Sequence, residues 1–212
     1  MKGDDTTINP QCTSCLSKDS VIPIVYGLPG PELMNNANVV LGGCIVTDSD
    51  PDWKCDNCGN FWGADAYSDK RFNFSELKRY THNDSFYFNI NDHLVKVCNV
   101  PTNTAGIYLV YAMRDGRSRL VYIGVSGKVS NNGLIKIRHG GIFGRIVDGK
   151  QFGKSRRISW KERMVMENIE KLYIEWFDTY TDHNHIPKAI EGQLLQSYYD
   201  SFFKLPSWNK EY

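Results

Sequence analysis

The chain of 212 residues carries a formal net charge of +1, with 41% hydrophobic and 23% charged residues. This length suits one ordinary domain plus a small appended one, and the apolar share supports a packed core, so disorder is not the default expectation. The longest apolar runs, such as Ile107 to Met113, fall far short of the roughly 20 residues a membrane-spanning helix needs, and Met1 to Gln11 is polar without a signal-peptide core; a soluble, cytoplasmic protein with no membrane partner is expected.

From the N-terminus, Cys12-Thr13-Ser14-Cys15 and Cys55-Asp56-Asn57-Cys58 form two Cys-x-x-Cys pairs separated by 39 residues, and Gly59 follows the second. Two such turns supply the four thiolates of a tetrahedral structural Zn²⁺ site, while the long insert, with a strand over Val39 to Val46, must carry its own structure. A redox dithiol or two disulfides are the competing readings. Cys44 and Cys98 read as spare, small apolar residues. With the segment Val21 to Pro29, Gly42-Gly43-Cys44 and Pro51-Asp52-Trp53, the pairs resemble a zinc-ribbon module spanning residues 1–64; the resemblance implies no activity.

Charge is segregated along the chain. Residues 1–65 hold three basic residues against nine acids, a net of −6, whereas Gly127 to Lys161 holds nine basic residues against the single acid Asp148, a net of +8. The basic block fits a polyanion partner, because each neutralised phosphate releases condensed counterions, although a solvated charged face gives the same pattern. Four thiolates against one Zn²⁺ take the acidic module to about −8, which argues for bracing or a protein partner rather than phosphate contact.

Asp65 to Arg79 is polar with helical spacing, and Phe86 to Ile90 and Leu94 to Val100 read as short strands, so residues 65–100 are expected to form a connector packed on the C-terminal domain. Pro101-Thr102-Asn103-Thr104 breaks the pattern. Beyond it, residues 101–212 run strand, turn, strand, helix, basic loop, strand, helix. Asp115-Gly116 marks a hairpin turn between the first two strands. Pairing the apolar face of Ile107, Leu109 and Tyr111 with that of Val121, Ile123 and Val125 sets odd positions opposite odd ones and requires an odd loop, for instance Asp115-Gly116-Arg117. Gly106, Tyr108, Tyr122, Gly124 and Ser126 then share the other face, with the tyrosines diagonal neighbours and the glycines leaving room for a phosphate. A two-residue loop would put the tyrosines on opposite faces and sink the reading of a shared site. Further on, Glu191 stands three, four and seven positions before Leu194, Leu195 and Tyr198, on the inward stripe of an amphipathic helix, where a carboxylate is costly unless paired or bound to metal. Asp182-His183-Asn184-His185 reads as a turn.

Gly106-Ile107-Tyr108 and Tyr122-Ile123-Gly124 on paired strands, followed by a basic helix and a late glutamate, resemble the GIY-YIG nuclease family. The resemblance implies an α+β fold, a small three-stranded antiparallel sheet flanked by helices, in a metal-dependent endonuclease that hydrolyses DNA phosphodiesters. It implies an arginine on the helix after the hairpin that contacts the scissile phosphate: Arg145, in Gly141-Ile142-Phe143-Gly144-Arg145-Ile146, or Arg138. It further implies Glu191 as the ligand of Mg²⁺ (or Mn²⁺), ahead of a Pro-x-x-Asn ending that Pro206-Ser207-Trp208-Asn209 supplies at a longer spacing than the family's. Tyr108 would orient or deprotonate the attacking water and Tyr122 would hold the water or phosphate. His139 could assist proton transfer, although a lone histidine in a basic loop is more often solvated. Lys128, Lys150, Lys154, Arg156, Arg157 and Asn209 are expected to grip the DNA. The rival reading is a GIY-YIG fold without catalysis, a nucleic-acid or protein binding module recruited by its zinc ribbon. The oligomeric state is left open.

Overall fold

The structure, a computed structural model, describes residues 11–28, 30–34, 36–44, 50–63, 67–137, 139–202 and 204–211. The chain divides into two units, Met1–Ala66 with Asp200–Lys204, and Tyr67–Tyr199 with Leu205–Tyr212. The fold is mixed α and β, with several antiparallel pairings and five helices among the described residues.

The first unit is built on β1 (Val21–Tyr26), a single helical turn α1 (Pro31–Met34), β2 (Val40–Gly43), β3 (Trp53–Cys55) and β4 (Phe61–Trp62), in the sheet order β2-β1-β3-β4. β1 runs parallel to β2 and antiparallel to β3. Its buried cluster is only Cys12, Val21, Cys55 and Trp62, with Trp53 packed against it. So small an apolar core needs a staple, and half of this one is cysteine.

The second unit holds a 3₁₀ turn (Ser75–Arg79), β5 (Asn83–Asn89), a helical turn α2 (Leu94–Val97), β6 (Gly106–Arg114) and β7 (Arg117–Ser126). A short ladder of β8 (Lys128–Val129) and β9 (Ile135–Lys136), α3 (Gly141–Val147), a second ladder of β10 (Lys150–Gln151) and β11 (Lys154–Ser155), α4 (Arg156–Met166), β12 (Lys171–Asp178) and α5 (Pro187–Phe202), whose residues from Asp200 count with the first unit, complete it. The main sheet is antiparallel in the order β5-β12-β6-β7. It has four strands, one more than expected, because the segment read as a connector supplies the edge strand β5. Leu94 to Val100 is not a strand: Leu94 and Cys98 are both buried, four positions apart, and the Cys98 N–H donates to the Leu94 carbonyl at 3.1 Å, so the chain turns helically. Of the helical spacing read over Asp65 to Arg79, whose first two residues lie outside the described ones, Ser75–Arg79 winds up, and Ser68 instead bridges to Ser118 of β7.

The hairpin differs from expectation in an instructive way. β6 ends at Arg114 and β7 begins at Arg117, so the loop is the two residues Asp115 and Gly116, with φ of 50° and 74°. Positive φ at both positions matches a type I′ turn, for which Asp-Gly is suited. That loop alone would separate the tyrosines. Between Tyr111↔Leu120 and Val110↔Tyr122, however, the register shifts at a bulge that skips Val121. Beyond it Leu109 faces Ile123, Tyr108 faces Gly124 and Gly106 faces Ser126. One extra residue reverses which side chains share a face, so Tyr108 and Tyr122 lie diagonally on one side after all.

Candidate functional site

The tyrosine pair organises the site. The two rings lie 5.9 Å apart between centroids, and Gly124 makes this possible: a Cβ there would overlap both rings. Gly106 has a different reason, since a Cβ would run into the Phe177 carbonyl and the Thr179 N–H of the neighbouring chain segment. The space expected for a phosphate at these glycines is filled by protein. Tyr108 is fully buried, whereas Tyr122 is half-buried and lines a cavity of about 410 Å³. Burial pushes the Tyr108 phenol well above its ordinary value, outweighing the pull of Arg156. Tyr108 therefore stays a neutral hydroxyl at physiological pH and is a poor proton acceptor, which opposes the deprotonating half of its expected role.

Arg156 is the residue that sequence reasoning misplaced. Expected at the surface gripping backbone phosphate, it is 1% exposed. Its guanidinium donates one hydrogen bond to the Tyr108 hydroxyl, a second to Tyr122 Oη at 3.2 Å and a third to the Arg145 carbonyl at 2.7 Å, while its Nε–H has no partner. No carboxylate bonds it among the described residues. Arg156, Ser159, Trp160 and Met164 are the buried residues of α4, and this i, i+3, i+4, i+8 stripe was the signal that could have separated Arg156 from its basic neighbours.

The remaining expected residues divide into three groups. Arg145, half-buried on α3, and Glu191, 6% exposed on α5, line the same cavity as Tyr122 and Arg156. Burial works against the Arg145 charge, but the adjacent tyrosines outweigh it and hold its pKa above the ordinary value. The Glu191 carboxyl is raised by burial, which outweighs the opposing pull of Lys188 and Arg145; Lys188 Nζ donates to it at 2.7 Å. Lys150 is exposed at the rim of this cavity.

Other residues are committed elsewhere. Lys154 and Arg157 are exposed and ion-paired with Glu162 at 2.5 Å and Asp148 at 2.6 Å. Asn209 borders the cavity, but its amide is occupied on the β7 backbone: it accepts from the Ile123 N–H and donates to the Ile123 carbonyl, both at 2.9 Å. That is a structural clamp on β7. His139 is exposed in the turn before α3, away from the cavity lining. Lys128 lines a second, adjoining groove, and Arg138 lies outside the described residues. His183 closes a turn over residues 181–183 and His185 follows it; both pack on Tyr80, whose hydroxyl lies 2.8 Å from His185 Nδ1.

The four N-terminal cysteines converge. Their sulfurs lie within 4.8 Å of one another, and the Cys12–Cys58 and Cys15–Cys55 pairs are 3.6 Å apart. A tetrahedral ion with bonds of about 2.3 Å to sulfur sets sulfurs about 3.8 Å apart, so the donor set fits Zn²⁺. Leu16 and Gly59, each just after a pair, both have positive φ, and the Ser14 N–H points at Cys12 Sγ from 3.4 Å, as thiolate-holding turns require. Glu191 is a different donor set. Among the described residues the cysteines are the one group of three or more potential metal ligands, and Glu191 belongs to no such group.

No helix among the described residues is long and apolar enough to cross a membrane. Comparison of the chain with protein-family models, curated proteins and solved structures returns no match.

Proposed function

We propose that this chain is a metal-dependent endonuclease that hydrolyses DNA phosphodiester bonds in the manner of the GIY-YIG nucleases. The observation that carries this reading is the convergence of Tyr122, Arg145, Arg156 and Glu191 on one cavity, with Tyr108 bonded behind them. Arg145 stabilises charge building on the phosphoryl oxygens, and the Tyr122 hydroxyl holds the attacking water or a phosphate oxygen. Tyr108 and Arg156 keep that hydroxyl in place. Mg²⁺ or Mn²⁺, when bound at Glu191, supplies charge neutralisation at the phosphate and at the leaving 3′ oxygen. The acidic cysteine unit holds Zn²⁺ in a ribbon-like arrangement and braces the chain or docks a protein.

Nicking of supercoiled plasmid tests the proposal: Mg²⁺-dependent nicking is expected, lost in Glu191→Ala. The rival reading, a catalytically silent binding module, draws on the Lys188 ammonium 2.7 Å from the Glu191 carboxylate, where a cation would otherwise sit. Absence of cutting with Mg²⁺ and Mn²⁺ across duplex, branched and single-stranded DNA, with binding retained, would decide for the rival.

A further inference from the structure

A second groove, of about 690 Å³, adjoins the candidate site and shares Arg145 and Lys188 with it. Its volume falls in the roughly 300–1,000 Å³ range of small-ligand pockets. Its walls combine two chemistries. Lys128, Lys136, Arg145 and Lys188, the last ion-paired with Glu191, contribute cations, and no carboxylate is among the described lining residues; Val125, Val129, Ile137 and Ile186 contribute an aliphatic surface. Ile137 and Ile186 remain 41% and 47% exposed, so this apolar surface is uncovered. Ser126 also lines the groove. It is 5% exposed, and its Oγ is buried without a hydrogen-bond partner. An orphaned buried hydroxyl is costly, and an acceptor seated against it would recover that cost.

Through the Gly106↔Ser126 pairing, Ser126 continues the face that carries Tyr108, Tyr122 and Gly124. A ligand filling this groove is therefore continuous with whatever occupies the candidate site. It is anionic and also offers an apolar face. An uninterrupted duplex presents phosphates and sugars outward and keeps its base faces stacked, so it would satisfy the lysines and leave the aliphatic wall wet. A nucleotide drawn out of the stack satisfies both.

Building on the nuclease reading, we propose that this groove holds one unstacked nucleotide of the strand to be cut, next to the scissile phosphate, which makes DNA with an unpaired segment the substrate class. The Ser126 hydroxyl donates to its phosphate or sugar oxygen. Lys128 and Lys136 hold the flanking phosphate, and Ile137 and Ile186 meet the base.

The test uses the full chain carrying Glu191→Gln, so that binding is read without cleavage. Fluorescence anisotropy compares a single-stranded thymidine oligonucleotide with an intact duplex of equal length at one salt concentration. Ile137→Asp and Ile186→Asp alter exposed positions, and unchanged thermal melting verifies that each variant folds. The expected result is a preference for the single strand, expressed as the ratio of the two affinities, that falls about tenfold in either variant through loss of the buried aliphatic contact, and about fivefold in Ser126→Ala for one lost hydrogen bond. An unchanged ratio in all three variants, or equal binding of both DNAs by the parent, overturns the proposal. If the ratio shifts as expected but the Glu191-intact chain cuts no DNA, the groove assignment stands and the nuclease reading falls. Absence of binding to any DNA removes both.

Discussion

Arg156 shows how one residue changes meaning when its surroundings are known. As one member of a basic block it reads as a phosphate contact; buried beside two tyrosines it is a positioning group, because one planar guanidinium reaches both hydroxyls and the Arg145 carbonyl at once. A buried cation with no carboxylate partner among the described residues is costly; those three acceptors compensate it, joined by the ring faces of Tyr108, Tyr122 and Trp160, 5.2 to 5.5 Å from the guanidinium carbon. The two roles predict different outcomes for Arg156→Ala. A surface phosphate contact would leave melting unchanged and reduce the salt slope of DNA binding by about one. The positioning role predicts a loss of about 2–4 kcal/mol in denaturant unfolding, from the buried acceptors left unsatisfied, with the salt slope intact and nicking reduced at least about tenfold. Arg156→Lys should recover part of the stability and little of the activity, since one ammonium cannot reproduce the fork geometry.

At the level of elements, the sequence carried the hairpin's turn and its final pairing but hid the means. Asp115-Gly116 is a strong local signal for a two-residue turn, and the alternation of Ile107, Leu109, Ile123 and Val125 is a strong signal for the opposite parity; a bulge reconciles them. Its trace in the sequence is the adjacent buried pair Leu120 and Val121, which interrupts the alternation of β7. The bulge has a second effect on the sheet edge. The Val121 carbonyl accepts from the Trp208 N–H at 2.8 Å and Ile123 is clamped by Asn209, so the C-terminal segment covers the otherwise open edge of β7. Such long-range docking leaves no periodic signal, which is why Asn209 was legible only as a motif ending. Asn209→Ala should cost about 1–3 kcal/mol, from two main-chain groups of Ile123 left unpaired. It should also speed amide hydrogen exchange at Ile123 while DNA affinity changes little; an affinity loss with stability unchanged would restore the direct DNA contact. The helical stripe carrying Glu191 was legible for a physical reason as well, because Ile190, Leu194, Leu195 and Tyr198 bury one face by regular spacing and draw the carboxylate inward with them.

Across the whole chain, the two units differ in what holds them and in what they can bind. The second has a four-stranded sheet with buried residues on every strand, while the buried cluster of the first holds two cysteines, one valine and one tryptophan. Burying Val21 and Trp62 supplies only a few kcal/mol, about 1.5–3 each, whereas structural Zn²⁺ in small domains contributes about 10–16 kcal/mol at neutral pH. Metal removal should therefore act selectively. Denaturing the protein in a chromophoric chelator is expected to release one Zn²⁺ per chain, and the Cys12→Ser, Cys55→Ser double variant to release none. In that variant, limited proteolysis should cut within residues 11–63 and leave a fragment spanning the second unit's sheet. The charge pattern sharpens the prediction, because net −6 over residues 1–65 opposes phosphate and net +8 over residues 127–161 attracts it. DNA affinity of the double variant should stay within about threefold of the parent's. A much larger loss, with the second unit still resistant to protease, would mean that the cysteine unit takes part in binding DNA, and the reading of it as a brace or protein-docking unit would be abandoned.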